Sequence, residues 1–129
     1  MAQVVVYGHR KAINRRRAAL KGAIHGAIMV ALEYPSDKCF QRFVALDDDG
    51  FVHPEDRGSD YTIIEISVFE GRSDDAKRAL IAELFHRIEA AAGIAPHCVE
   101  ITITETPKVN WGIRGFNGAD LALNYKVEV

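Results

Sequence analysis

A chain of 129 residues, 48% hydrophobic and 26% charged, has the size and make-up of one ordinary globular domain. At that length it builds a core without disulfides or metals. Sixteen basic against 18 acidic side chains leave a net charge of −2, which excludes the strongly basic field of a nucleic-acid binder or a membrane-surface protein taken whole. Two cysteines do not make a secreted disulfide framework, so Cys39 and Cys98 are read as reduced thiols of a cytoplasmic protein.

In chain order, Val4-Val5-Val6-Tyr7 is a short apolar run ended by Gly8 and reads as a buried strand. From Ala12 to Tyr34 the residues Ile13, Leu20, Ile24, Ile28 and Leu32 recur at helical spacing, and Pro35 stops the helix. Arg15-Arg16-Arg17 ahead of the apolar stretch Ala23 to Leu32 has the outline of a signal peptide. Glu33-Tyr34-Pro35 stands where a cleavage site would be, however, and the stretch is far short of the about 20 residues that span a bilayer. Phe40 to Leu46 is a second strand, and Asp47-Asp48-Asp49-Gly50 opens an acidic connection reaching Asp60.

The pattern then restarts. Thr62, Ile64, Ile66 and Val68 alternate with Glu65 and Ser67 in a strand that Gly71 ends. Ser73 caps the next helix, with Asp74 and Asp75 at the positive end of its dipole. Ile81, Leu84, Phe85, Ile88 and Ala92 are its expected buried stripe, and Gly93 and Pro96 its stop. Val99, Ile101 and Ile103 alternate with Glu100, Thr102 and Thr104 in a further strand, and the tail Leu121, Leu123, Tyr125, Val127, Val129 reads as one more.

Gly8 and Gly71, like Pro35 and Pro96, stand about 60 residues apart, so the chain states one β-α-β unit twice, over about 1–60 and 61–129. Right-handed crossovers make the two strands of each unit parallel. The expected fold is one α+β domain, 1–129, in which the units join antiparallel into a four-stranded mixed sheet with both helices on one face. Little chain is left to cover the other face, whose residues include Ile63 and Phe69, so oligomerisation is expected.

This arrangement puts the start of the first strand, at Ala2, beside Glu70-Gly71-Arg72. Arg72 then sits at a helix N-terminus, where an anion is favoured, and can grip a carboxylate bidentately. An α-amino group beside it, titrating at about 7.7–8.0 when unperturbed, can act as a general base or a nucleophile. The alternative is a solvated arginine next to an ordinary chain terminus.

The order and spacing of His25-Gly26-Ala27, Gly71-Arg72-Ser73 with its acidic pair and Lys77, Gly93-Ile94-Ala95-Pro96 and Asn110-Trp111-Gly112 resemble the tautomerase superfamily. Within it the chain looks most like the malonate semialdehyde decarboxylase group. The resemblance covers nearly the whole sequence, and implies a homotrimer with sites near subunit boundaries, no metal or organic cofactor, and a small carboxylate-bearing substrate. It implies that Ala2 occupies the place of the catalytic proline exposed when Met1 is removed, and that Arg72 is the retained arginine. Trp111 and Ile113 match the apolar wall. Besides Ala2 in place of that proline, two further positions depart from the group: Glu70 replaces a second arginine, and Lys38 aligns with an aspartate that the adjacent Asp37 would supply after a one-residue shift. Those departures speak against decarboxylation and hydration. They leave weak or promiscuous keto–enol tautomerase activity on a small 2-oxo acid, with a catalytically inactive trimeric binding or scaffold protein as the alternative.

Other constellations are bland. The basic cluster Arg10, Lys11, Arg15, Arg16, Arg17 reads as a solvated face, with a phosphate or RNA contact as the alternative. Asp47-Asp48-Asp49-Gly50 lacks the alternation of a calcium loop, and the five histidines, His25 and His86 on helices among them, show no metal-ligand spacing. No Ser-His-Asp arrangement, P-loop or dinucleotide fingerprint is present.

Overall fold

The computed structural model describes residues 2–129. Strand β1 (Ala2–His9) leads into helix α1 (Arg10–Leu32) and strand β2 (Gln41–Leu46). After the acidic connection come β3 (Thr62–Phe69), α2 (Asp74–Ala92) and β4 (Val99–Thr106). The sheet order is β2-β1-β3-β4, with β1/β2 and β3/β4 parallel and β1/β3 antiparallel. The two β-α-β units therefore join as the repeat requires.

Alternation decides which residues face the helices. Ala2, Val4 and Val6 of β1 and Ile64, Ile66 and Val68 of β3 are buried in one core with Ile13, Leu20, Ile24 and Ile28 of α1 and Leu80, Leu84 and Ile88 of α2. Each such aliphatic side chain contributes about 1.5–3 kcal/mol by leaving water. The stripe of α2 is Ala76, Leu80, Leu84, Ile88 and Ala92, spaced every fourth residue. Ile81 and Phe85, expected in that stripe, are only half-buried. The helix phase is set by Leu80, which stands outside the expected stripe.

Both helices end on a left-handed residue, Glu33 (φ 51°) and Gly93 (φ 69°). Ser73 accepts the Ala76 N–H at 3.1 Å, the expected cap. A small hairpin, β5 (Gly112–Ile113) and β6 (Phe116–Asn117), turns through Arg114 (φ 50°) and Gly115 (φ 84°). Two consecutive positive φ values mark the tight turn that suits strand twist.

The tail is not a strand. Residues 121–129 form no ladder, although their burial still alternates, with Leu123, Tyr125, Val127 and Val129 turned inward. Those side chains lie on Tyr34, Phe69 and the start of α2, and the Val129 carbonyl accepts the Ser73 N–H at 2.9 Å. A period-two pattern reports a two-sided extended segment, and here packing rather than a strand partner makes it two-sided. A second correction follows. Phe69 is covered by Val127 and Trp111 of its own chain, so it is not part of the bare face. Val5, Tyr7, Val44 and Ile63 on that face remain half-exposed.

The acidic connection folds back on the start of α1. Arg10 pairs with Asp47 at 2.9 Å, Arg16 with Asp60 at 2.9 Å and Arg15 with Asp60 at 3.4 Å. Much of the basic cluster thus clamps a loop, each exposed pair being worth no more than about 1 kcal/mol. No helix among the described residues is long and apolar enough to cross a membrane.

Candidate active site at the head of the first strand

Antiparallel pairing of β1 with β3 sets Ala2 opposite Val68. The chain then leaves β3 through Gly71, whose φ of 129° is open to glycine and whose missing Cβ would stand 3.0 Å from Val127 Cγ1. That turn delivers Arg72 and Ser73 to the first turn of α2. Arg72 is only 5% exposed. Its Nη1 donates to the Phe69 carbonyl at 3.1 Å, while Nε and Nη2 are buried without a hydrogen-bond partner among the described residues. Burial pushes the guanidinium below its ordinary value, opposed by Tyr125, Tyr34, Glu105 and Glu128 nearby. An arginine stays charged through such a shift at neutral pH. The molecule therefore holds a desolvated cation whose fork is half unused.

Around it the tertiary structure assembles groups that are distant in sequence. The Ala2 N–H donates to the Tyr34 hydroxyl at 3.0 Å. Tyr34 and Tyr125 meet edge to face at 4.9 Å, and their hydroxyls are hydrogen-bonded. Burial raises both phenols above the ordinary tyrosine value, and Asp37 adds to the rise at Tyr34. A cleft of about 470 Å³ opens beside this pair, lined by Glu33, Tyr34, Pro35, Asn124, Tyr125 and Lys126.

The apolar side is continuous with it. Trp111 meets Phe69 edge to face at 5.0 Å and donates Nε1–H to Thr106 Oγ1 at 2.6 Å. Ile113, Leu123 and Tyr125 pack on the same Phe69–Val127 cluster. Ala2, Arg72, Trp111, Ile113 and Asp37, the residues singled out in the sequence, thus lie about one end of the sheet. Glu70 is exposed, with its backbone N–H on the Thr106 carbonyl at 2.9 Å, and Lys38 is half-buried in the loop after α1. The removal of Met1 falls outside the described residues. Tyr34 and Tyr125 were missed as site residues: one reads as the end of a helix and the other as a link in a strand, and nothing in the sequence joins them.

A family model described as "Tautomerase enzyme" matches residues 38–114, more than half of the chain. The chain belongs to the tautomerase family. Among curated relatives, this tautomerase-family chain is similar to 2-hydroxymuconate tautomerase of Stutzerimonas stutzeri, 42% identical over 53 residues that span 41% of this chain and 84% of the relative. It is also similar to the enzyme of that name from Comamonas testosteroni, 35% identical over 57 residues spanning 44% of this chain and 90% of the relative. A nearly whole relative fits within less than half of this chain, as a doubled β-α-β unit requires. Solved structures share the fold over most of both chains. A malonate semialdehyde decarboxylase superposes with TM-score 0.81 at 20% identity, covering 93% of this chain and 99% of that one. A fused 4-OT described as an asymmetric trimer gives TM-score 0.79 at 18% identity, covering 91% and 96%.

Proposed function

We propose that this tautomerase-family protein interconverts the enol and keto forms of a small 2-oxo acid, with weak or promiscuous activity, as a cytoplasmic homotrimer. The observation that carries the reading is the buried Arg72 guanidinium, whose Nε and Nη2 have no partner among the described residues. Two parallel N–H donors on a desolvated cation match a carboxylate, and an unmet buried donor is costly enough that a binding role explains why it is kept. With Met1 removed, Ala2 carries a primary amine at the same sheet end. That amine takes a proton from carbon in one direction and returns it in the other, while the enol oxygen gains or loses its own proton. The resemblance to the decarboxylase group supports Trp111 and Ile113 as the apolar wall, with Asp37 as a further substrate-binding residue. Glu70, an acidic residue next to the anion site, argues against a second substrate-binding cation there.

Trimer formation is supported by the half-exposed Val5, Tyr7, Val44 and Ile63 on the face opposite the helices, and by the relative described as a trimer. A second reading, a catalytically silent binding protein of the same fold, is favoured by the Ala2 nitrogen, which is buried and already donates to Tyr34.

Intact mass reports whether Met1 is removed. Phenylenolpyruvate ketonisation by wild type and Arg72→Ala then separates the readings: loss of rate in the variant is expected, an unchanged rate removes Arg72 from the chemistry, and no rate in either favours the binding protein. Sedimentation is expected to show a trimer; a stable monomer at micromolar concentration contradicts the assembly.

A further inference from the structure

The far end of β1, about 23 Å from Ala2 at roughly 3.3 Å per residue, carries a second polar constellation that the tautomerase reading leaves unused. His9 closes β1, and His53 comes from the acidic connection folded over it. His9 Nδ1 lies 2.9 Å from Asp48 Oδ1, and His53 Nδ1 lies 2.9 Å from the Pro54 carbonyl. Both partners are acceptors, so each neutral ring places its one N–H at Nδ1. The two Nε2 atoms are 2.7 Å apart. Two imidazole lone pairs then face each other, an arrangement satisfied by a proton or a metal ion held between them.

We infer that His9 and His53 form a binding site for one imidazole-preferring divalent cation, of the Zn²⁺ or Ni²⁺ class. A metal-ligating histidine characteristically donates its other ring N–H to a carboxylate or a backbone carbonyl, and both rings do so. Imidazole nitrogen suits these metals. With metal–nitrogen distances of about 2.0–2.1 Å and tetrahedral angles, the Nε2 atoms would stand about 3.3 Å apart, so loading opens the pair by roughly 0.6 Å. Among the described residues no group of three histidine, cysteine or carboxylate ligands converges. The remaining positions therefore belong to water, as in open rather than closed sites.

The surroundings suit a hydrated cation. Both rings line a cleft of about 1010 Å³. Four carboxylates border it against three cationic side chains, and two of those cations, Arg10 and Arg15, are paired with Asp47 and Asp60. Phe51 and Tyr61, buried and stacked at 5.6 Å, brace the rings. Bound metal would fasten the 47–60 connection to the junction of β1 and α1.

Calorimetric titration of the full chain, without a polyhistidine tag, with Zn²⁺ tests this. One equivalent is expected to bind, with binding lost in His9→Gln and His53→Gln and weakened about 10–100-fold in Asp48→Asn. Because His9 sits at a strand–helix junction, the wild type is also followed by imidazole ¹⁵N resonances. Zn²⁺ should move the Nε2 signals of His9 and His53 ahead of those of His25, His86 and His97. Signals that stay put, binding unchanged by either histidine substitution, or no uptake at millimolar Zn²⁺ (a shared proton only) would each overturn the site.

Discussion

Replacing Arg72 by methionine separates a binding arginine from a structural one, because the two roles predict opposite signs. The guanidinium is 5% exposed and, among the described residues, makes one hydrogen bond, to the Phe69 carbonyl, and leaves Nε and Nη2 unpartnered. Exchanging a buried ionic group for a packed apolar one is worth about 1–4 kcal/mol of stability where pairing is poor. Loss of the Phe69 hydrogen bond returns about 1 kcal/mol of that. Arg72→Met is therefore expected to stabilise the fold by up to about 3 kcal/mol, raising Tm by about 3–5 °C for each kcal/mol in a domain of this size. The same change removes two charge-assisted hydrogen bonds to a substrate carboxylate, each about 1.5–3 kcal/mol, so kcat/KM should fall at least about 100-fold. Thermal unfolding at fixed protein concentration and phenylenolpyruvate ketonisation read the two effects. A lower Tm with kcat/KM within threefold of wild type would refute the reasoning and make Arg72 a structural brace.

Phe69→Ala empties the centre of the Val127–Trp111 cluster and should cost about 3–5 kcal/mol. Trp111 is the sole tryptophan, so its emission should shift red; unchanged emission would contradict the packing. Ser73→Ala removes the Ala76 cap and should cost about 0.5–2 kcal/mol in denaturant unfolding, with the slope unchanged. All four tyrosines are held above their ordinary value, Tyr34, Tyr61 and Tyr125 mainly by burial and Tyr7 mainly by its hydrogen bond with Glu65. With folded values above the unfolded value of about 10, the neutral phenols contribute stability that is fully present below pH 10 and is lost as pH rises through the folded values. Absorbance at 295 nm should therefore lag free tyrosine and then rise steeply with alkaline unfolding; an ordinary titration centred at pH 10 in the folded protein would oppose this.

The repeat was legible because it is a local signal written twice. Apolar spacing of four in α1, alternation in β3 and β4, the Ser73 cap and the stops at Pro35 and Gly93 all act within a few residues of chain, and together with the handedness of parallel crossovers they fix the sheet order. The same logic set Ala2 opposite the end of β3, where the structure pairs it with Val68, since antiparallel joining of two such units leaves few alternatives. Where the reading failed, the deciding contacts were distant. The tail 121–129 carries a strand's alternation, yet Tyr34, Phe69 and Ser73 take up its inward side chains and final carbonyl, so no ladder forms. Ile81 and Phe85 fit the helical spacing of the expected stripe, yet packing buries Ala76 and Leu80 in their place.

The sequence by itself determined a doubled β-α-β domain and the neighbourhood of its candidate site. Only the tertiary structure decided that Arg72 is buried with Nε and Nη2 unpartnered among the described residues, that the Tyr34 hydroxyl, set against Tyr125, accepts from the Ala2 nitrogen, and that His9 meets His53. Local periodicity encodes which elements form; desolvation and convergence of polar groups depend on which remote side chains the packed fold brings within hydrogen-bond reach.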